Sequence, residues 1–223
     1  TEDAVRIAAA VELLHNASLV HDDLQDDEKV RRGLPTVWTA YGKDVAICTG
    51  DILLSAAYGA LAEVSDPQLI PLLLRRVHER TAMVIQGQCS ELSAKDCAIT
   101  GLSQYESIVI GKSGALLSLP IELAFIAAGR EKWTKRIQEA AHTFGVGYQM
   151  VDDLEDVKID TEKHNMNIVL VLEAAGQASQ AMDLARKLAQ EYLERAIGIA
   201  ETLPSDAGVM LTEFALVLGK RLK

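Results

Sequence analysis

Apolar residues recur at every third or fourth position through almost the whole chain, and no segment alternates them as a half-buried strand would. Over residues 4–20 they fall at Val5, Ala8, Ala9, Leu13, Ala17 and Val20. The same period runs through 44–61, 67–85, 131–151 and 178–203. Ser103-Gln104-Tyr105-Glu106, set before an apolar run, has the spacing of a capping box and predicts a helix through Gly114. Ser205 and Asp206 are expected to cap a last helix. Breaks fall at Gly33-Leu34-Pro35, Ser65-Asp66-Pro67, Ala128-Gly129 and Leu203-Pro204, and none is a long linker. No segment repeats at a fixed period, and β-branched residues never cluster between hairpin turns. The pattern predicts one all-α domain over residues 1–223, a bundle of about seven or eight helices, without strands.

The most apolar stretch, 114–129, carries Pro120 and Glu122 and is short for a bilayer, so it predicts a buried helix, kinked at the proline and resuming beyond it. Residues 1–6 lead straight into an amphipathic segment, so neither a leader nor membrane insertion is expected. With 22 Lys+Arg against 32 Asp+Glu the net charge is −10, the wrong sign for a nucleic-acid binder. Cys48, Cys89 and Cys97 are odd in number and unpatterned, which fits small apolar fillers in a cytoplasmic protein.

Two acidic clusters stand out. Asp22-Asp23-Leu24-Gln25-Asp26 follows one apolar helix, and Asp152-Asp153-Leu154-Glu155-Asp156 follows another. In each, the first and last aspartates are four apart and share a helix face. Carboxylates that close oppose one another's ionisation, and a helix C-terminus, where both clusters are expected, is already negative. A single acidic run usually marks a solvated surface. Two identical ones, each fused to an apolar helix, read instead as facing walls of a site for Mg²⁺, which bridges a few carboxylates to phosphate oxygens. The cationic complement is Lys29, Arg31 and Arg32 after the first cluster, either phosphate-binding forks or a turn balancing the acidic run. Lys112, in Ile110-Gly111-Lys112-Ser113-Gly114, is a lone charge among apolar residues, either meeting a phosphate or reaching solvent. Gly-Lys-Ser is not a P-loop tail here, because the earlier glycine and the preceding strand are missing.

In order along the chain, Glu12-Leu13-Leu14-His15, His21-Asp22-Asp23-x-x-Asp26, Arg31-Arg32-Gly33-x-Pro35-Thr36, Gly50-Asp51, Gly87-Gln88, Lys112-Ser113-Gly114 and Gln149-x-x-Asp152-Asp153-x-x-Asp156 resemble the trans-isoprenyl diphosphate synthases. The resemblance implies an isoprenoid-synthase-type bundle with a deep central cavity, usually dimeric. The implied reaction is head-to-tail prenyl transfer: an allylic diphosphate ionises, isopentenyl diphosphate attacks the cation, and the proton lost goes to the departing diphosphate. Carried over residue by residue, Asp22, Asp23, Asp26, Asp152, Asp153 and Asp156 would bind Mg²⁺. Arg31 would hold the allylic diphosphate with Lys112, Ser113 and Gln149, while Arg32 and His15 would meet isopentenyl diphosphate. Ala17 and Ser18 would line the tail's path and, being small, leave room for a product of twenty carbons or more, with Leu13, Leu14 and Met83 below.

The chain departs from the family pattern in two places. A Gly-Lys-x-Arg element that relatives carry on helices upstream of the first cluster precedes nothing here, so the chain resembles a synthase lacking its N-terminal helices. After Asp156 the usual Gly-Lys and Lys-x-Thr pattern gives way to Lys163-His164-Asn165-Met166-Asn167, through either a deletion or a loop missing after Lys163. A class I terpene cyclase and a non-catalytic subunit of a heteromeric synthase are the alternatives. An all-acidic second cluster and the Arg31-Arg32 pair favour the synthase. Trp38, Tyr41 and Tyr58 are expected in the core, and His78 and His142 as satisfied or exposed histidines. The basic C-terminal residues, Lys220 and Arg221 among them, match relatives' tails in position alone.

Overall fold

The computed structural model describes residues 2–94, 101–204 and 206–222. Ten α-helices account for most of them: α1 (Glu2–Gln25), α2 (Val37–Tyr41), α3 (Lys43–Ala62), α4 (Ile70–Ala94), α5 (Leu102–Val109), α6 (Ala115–Ala127), α7 (Thr134–Lys163), α8 (Ile168–Leu172), α9 (Ala181–Ala200) and α10 (Val209–Arg221). The all-α expectation holds. The count exceeds the expected seven or eight because α2 and α8 are five-residue helices, too short for periodicity to register. Contacts group the chain into two compact units, residues 1–77 and 78–223, with α4 divided between them at Val77.

In the first unit α1 packs on α3. Ile7, Ala10, Leu14 and Ala17 form the buried stripe of α1, and Ala46, Gly50, Ala57 and Leu61 that of α3. At Gly50 a Cβ would fall 2.0 Å from Nε2 of His21, so the glycine of Gly50-Asp51 lets the imidazole lie against α3. Between α1 and α2 the chain makes a small hairpin that the absence of strand signals did not predict: β1 (Val30–Arg31) pairs antiparallel with β2 (Leu34–Pro35). Its two-residue turn, Arg32-Gly33, has φ of +52° and +80°, the positive pair that a tight primed hairpin turn demands. Strands of two residues leave no period to read.

In the second unit α7 lies against α9, α6 and α10. The buried face of α9 is Ala181, Ala185, Ala189, Leu193, Ala196, Ile199 and Ala200, mostly small side chains, and Gly147 of α7 seats directly on Leu193. From Leu102 to Ala127 the chain is continuously helical: a π turn at Ile110–Gly114 joins α5 to α6. The buried apolar helix expected over 114–129 is α6, which passes through Pro120 unbroken. By length and composition Lys43–Ala62 and Leu102–Ala127 could each cross a membrane; the most apolar stretch of the second is 56% buried, that of the first 22%.

Several expected boundaries move. The N-cap of α5 is Gly101, not Ser103, and no side chain caps it; Glu106 accepts the Tyr192 hydroxyl instead of reaching back. The N-cap of α10 is Gly208, while Asp206 sits at φ +58° and lends only its carbonyl, to Val209 N; Ser205 lies outside the described residues. Helix α7 does not stop near Val151 but runs twelve residues further, through the second acidic cluster. Cys48 and Cys89 are exposed rather than fillers of the core, and Cys97 lies outside the described residues.

Candidate active site

In the first unit, Asp22 and Asp23 occupy the last turn of α1 and Asp26 lies just beyond it. The helix closes with Asp27 left-handed at φ +53° and Glu28 N donating to Asp23 O at 2.9 Å, the six-to-one bond of a Schellman end. That closure turns the three aspartates differently. Asp22 and Asp26, one turn apart, are half-buried at the surface. Asp23 points inward, 5% exposed, and its Oδ1 takes both Arg31 Nε at 2.7 Å and Arg31 Nη2 at 2.6 Å. The hydrogen bond to Asp23 holds the Arg31 guanidinium still more firmly charged than usual.

The loop after the cluster is tied down. The Glu28 carbonyl accepts from Thr36 Oγ1 at 2.8 Å and Trp38 Nε1 at 2.7 Å, and Thr36 N donates to Lys29 O at 3.0 Å. Trp38, expected only to pack, therefore fixes the hairpin that carries Arg31 and Arg32. Arg32 is exposed at the hairpin tip, and His15 is exposed on α1. Ala17 is buried, and Ser18 donates Oγ–H to His15 O at 2.8 Å.

The second unit carries the other cluster in the middle of α7, not at a helix end, so the macrodipole penalty expected there does not apply. Burial raises the Asp152 carboxyl above its ordinary range, the charges of Asp156 and Glu155 push the same way, and Arg221 pulls it back. Arg221, from α10, clasps Glu155 at 2.9 and 2.6 Å and lies 3.5 Å from Asp152. Asp152 is half-buried and Asp156 exposed. Asp153 again is the one that turns inward, 2% exposed. Its Oδ2 accepts from Tyr105 at 2.8 Å and Ile168 N at 2.7 Å, and its Oδ1 from Gln149 Nε2 at 2.9 Å. Burial outweighs these donors and pushes its carboxyl up to about 7. With Asp23 and Asp153 committed to internal partners, neither enters the ligand set proposed below.

Lys112 and Ser113 sit in the π turn, a distortion of the helix that recurs at functional sites. Lys112 is not the lone charge expected: its Nζ meets Glu91 of α4 at 2.6 Å. A Cβ on Gly87 would lie 2.5 Å from Lys112 N, so the glycine of Gly87-Gln88 lets α4 touch the backbone of the π turn. Met83, expected below the prenyl tail, accepts a hydrogen bond at its sulfur from Arg80 Nη1 at 2.9 Å. His142, expected satisfied or exposed, has a buried Nε2 with no hydrogen-bond partner, and burial together with Arg80 lowers its pKa.

Among the described residues no three His, Cys, Asp or Glu side chains lie close enough to hold an ion by themselves. Mg²⁺ makes no such demand, because it keeps several waters and takes one or two carboxylates plus phosphate oxygens. Asp22 with Asp26, and Asp152 with Asp156, each offer two hard oxygen donors one helical turn apart, and that donor chemistry fits the ion.

The polyprenyl synthetase family model matches residues 1–192. The chain belongs to the polyprenyl synthetase family. It is 29% identical, over 96% of its length and 78% of the relative's, to the all-trans-nonaprenyl-diphosphate synthase (geranyl-diphosphate specific) of Rhodobacter capsulatus. It is 32% identical to the short chain isoprenyl diphosphate synthase of Methanocaldococcus jannaschii, over 73% of this chain and 50% of that protein. The geranylgeranyl pyrophosphate synthetase of the archaeon Geoglobus acetivorans shares its fold at a TM-score of 0.86 and 26% identity, over 98% of this chain and 81% of that one. The chain thus spans half to about four-fifths of these family members. Both motifs of polyprenyl synthetase type lie inside the matched range, whereas α10 and Arg221 lie beyond it. Sequence reasoning missed Tyr105 and Glu91 as neighbours of the motifs, since they reach their partners from 48 and 21 residues away, while Arg221, singled out only by its place in the basic tail, reaches Glu155 from 66.

Proposed function

We propose that this chain is a trans-prenyltransferase that condenses an allylic diphosphate with isopentenyl diphosphate and releases diphosphate. The observation that carries the reading is the repeated division of labour in the two motifs, where the middle aspartate is turned inward and bonded while the outer two remain at the surface. Asp22, Asp26, Asp152 and Asp156 would hold Mg²⁺, which supplies positive charge to the diphosphate as it leaves.

The chain's own residues do the rest. Arg31, fixed by Asp23, presents its guanidinium to the allylic diphosphate, and Lys112, fixed by Glu91, adds a point charge that grows in value as negative charge develops. The allylic C–O bond breaks with its electron pair on the diphosphate. The isopentenyl double bond then attacks C1, with Arg32 and His15 on its diphosphate, and the proton lost returns to the released diphosphate. No side-chain nucleophile or base is needed. Support comes from the family membership and from cations held beside each acidic motif.

Incubation with Mg²⁺, labelled isopentenyl diphosphate and geranyl or farnesyl diphosphate, with products read by mass spectrometry, tests this. A linear diphosphate of twenty carbons or more is expected. A cyclised hydrocarbon with no isopentenyl diphosphate consumed would mean a cyclase, and no product a non-catalytic subunit. The length follows from Ala17 and Ser18, which place little bulk one turn before Asp22. Ser18→Phe should therefore shift the product to fifteen carbons; an unchanged distribution contradicts the assignment.

The reading includes a homodimer in the cytoplasm. Val45 and Ile52, seven residues apart on one face of α3, are exposed, apolar surface of the kind a second copy covers. Light scattering should give a dimer mass, and Ile52→Glu a monomer; a monomeric native chain contradicts the assignment. The free, unpatterned Cys48 and Cys89 support a reducing compartment.

A further inference from the structure

Asp153 joins three helices. Its Oδ2 binds the Tyr105 hydroxyl from α5 and the first backbone N–H of α8, and its Oδ1 binds Gln149 one turn earlier on α7. Its carbonyl accepts from Asn167 Nδ2 at 2.7 Å; the same amide reaches Asp160 Oδ2 at 2.8 Å, while Asn167 Oδ1 caps α8 through Val169 N at 2.9 Å. Tyr105 is wholly buried, so its hydroxyl has no solvent alternative.

Residues on a helix turn about 100° per position, so fixing Asp153 inward also fixes the directions of Asp152 and Asp156, which stand roughly 100° and 60° round the helix from it. From this geometry we infer that Tyr105 is a positioning residue: through Asp153 it sets the rotation of α7 that displays the Asp152–Asp156 pair and the side chain of Gln149. The inference rests on the prenyl-transfer reading of those two carboxylates and adds Tyr105 and Asp153 to it as the part that aims them. Asp153 then acts by orientation, not as a ligand.

Tyr105→Phe removes one O–H donor and keeps the ring. The test measures binding of inorganic diphosphate in the presence of Mg²⁺ by calorimetry, alongside the Mg²⁺ concentration for half-maximal turnover. Outer-shell partners of metal ligands contribute about 10–100-fold. Tyr105→Phe should therefore weaken Mg²⁺-dependent diphosphate binding at least ~10-fold and raise the half-saturating Mg²⁺ by a similar factor. Ile137→Val, a core change in the same unit, serves as the control: it lowers the melting temperature but should leave both quantities alone.

Asp153→Asn should weaken binding to a similar degree, and the double variant should be no worse than either single, as groups acting in series behave. If Tyr105→Phe binds as the native protein does, or if the two effects simply multiply, the inference is overturned. Should the Phe variant fail to fold, Asp153→Asn decides alone: a ~10-fold loss supports positioning and complete loss a direct ligand. A native chain that binds no Mg²⁺–diphosphate would overturn the reading of the site itself, a result separable from a failure of Tyr105 alone.

Discussion

Glu122→Ala should cost the protein about 3–5 kcal/mol of unfolding free energy. Glu122 has no exposed surface, and its carboxylate holds Arg80 at 2.8 and 3.2 Å, Ser118 at 2.6 Å and Gln138 at 2.7 Å. Burial works against its charge, yet Arg80, Ser118 and Gln138 together keep its carboxyl below the ordinary range. Removing the glutamate leaves the Arg80 guanidinium, 6% exposed, charged and without its counter-ion. Replacing both, as Arg80→Met with Glu122→Leu, should restore most of the loss, because a buried pair and an apolar pair of similar volume are of comparable stability. Urea unfolding followed by far-UV circular dichroism checks both. A loss below ~1 kcal/mol in the single variant would mean that water reaches the pair.

The second large effect is on turnover. Asp22→Asn and Asp152→Asn keep the size of the side chain and remove one negative charge from each outer pair. Loss of a group that stabilises charge developing in the transition state lowers kcat by about 10²–10³. Each variant should therefore lose that much while its melting temperature falls little, since Asp22 and Asp152 are half-buried and their units do not hang on them. Their combination should fall short of the product of the two effects if the two motifs serve the same step, since residues that act as a unit are not additive. Turnover within threefold of the native enzyme in either variant would remove that aspartate from the reaction.

Much of this was legible in the sequence because the helical period is. The i, i+4 spacing that pairs Asp22 with Asp26 and Asp152 with Asp156 also sets Asp23 and Asp153 off the face those pairs share, so a separate direction for these two expected ligands follows from the pattern. What each meets there does not: Arg31 reaches Asp23 only because a hairpin with Arg32 at φ +52° folds back, and Tyr105 reaches Asp153 across 48 residues. Helix ends were legible where glycine marks them. Gly129, at φ +68°, closes α6 with Arg130 N on Phe125 O at 2.8 Å, and the break was expected there. Asp27 and His164 close α1 and α7 by the same backbone bond with no glycine, so the full length of α7, and with it the placement of the second motif in mid-helix, escaped the period. The ion-pair partners of Lys112 and Glu122 were hidden for a related reason: both come from α4, and a charge in an apolar run does not announce which distant helix will answer it.

The central claim is that each acidic motif takes part in binding Mg²⁺–diphosphate. Calorimetric titration of inorganic diphosphate into the native chain, Asp22→Asn and Asp152→Asn, each with and without Mg²⁺, tests it most directly. Binding that requires Mg²⁺ and is lost in either variant is the predicted result. Binding that persists without the metal, or survives unchanged in both variants, would contradict it.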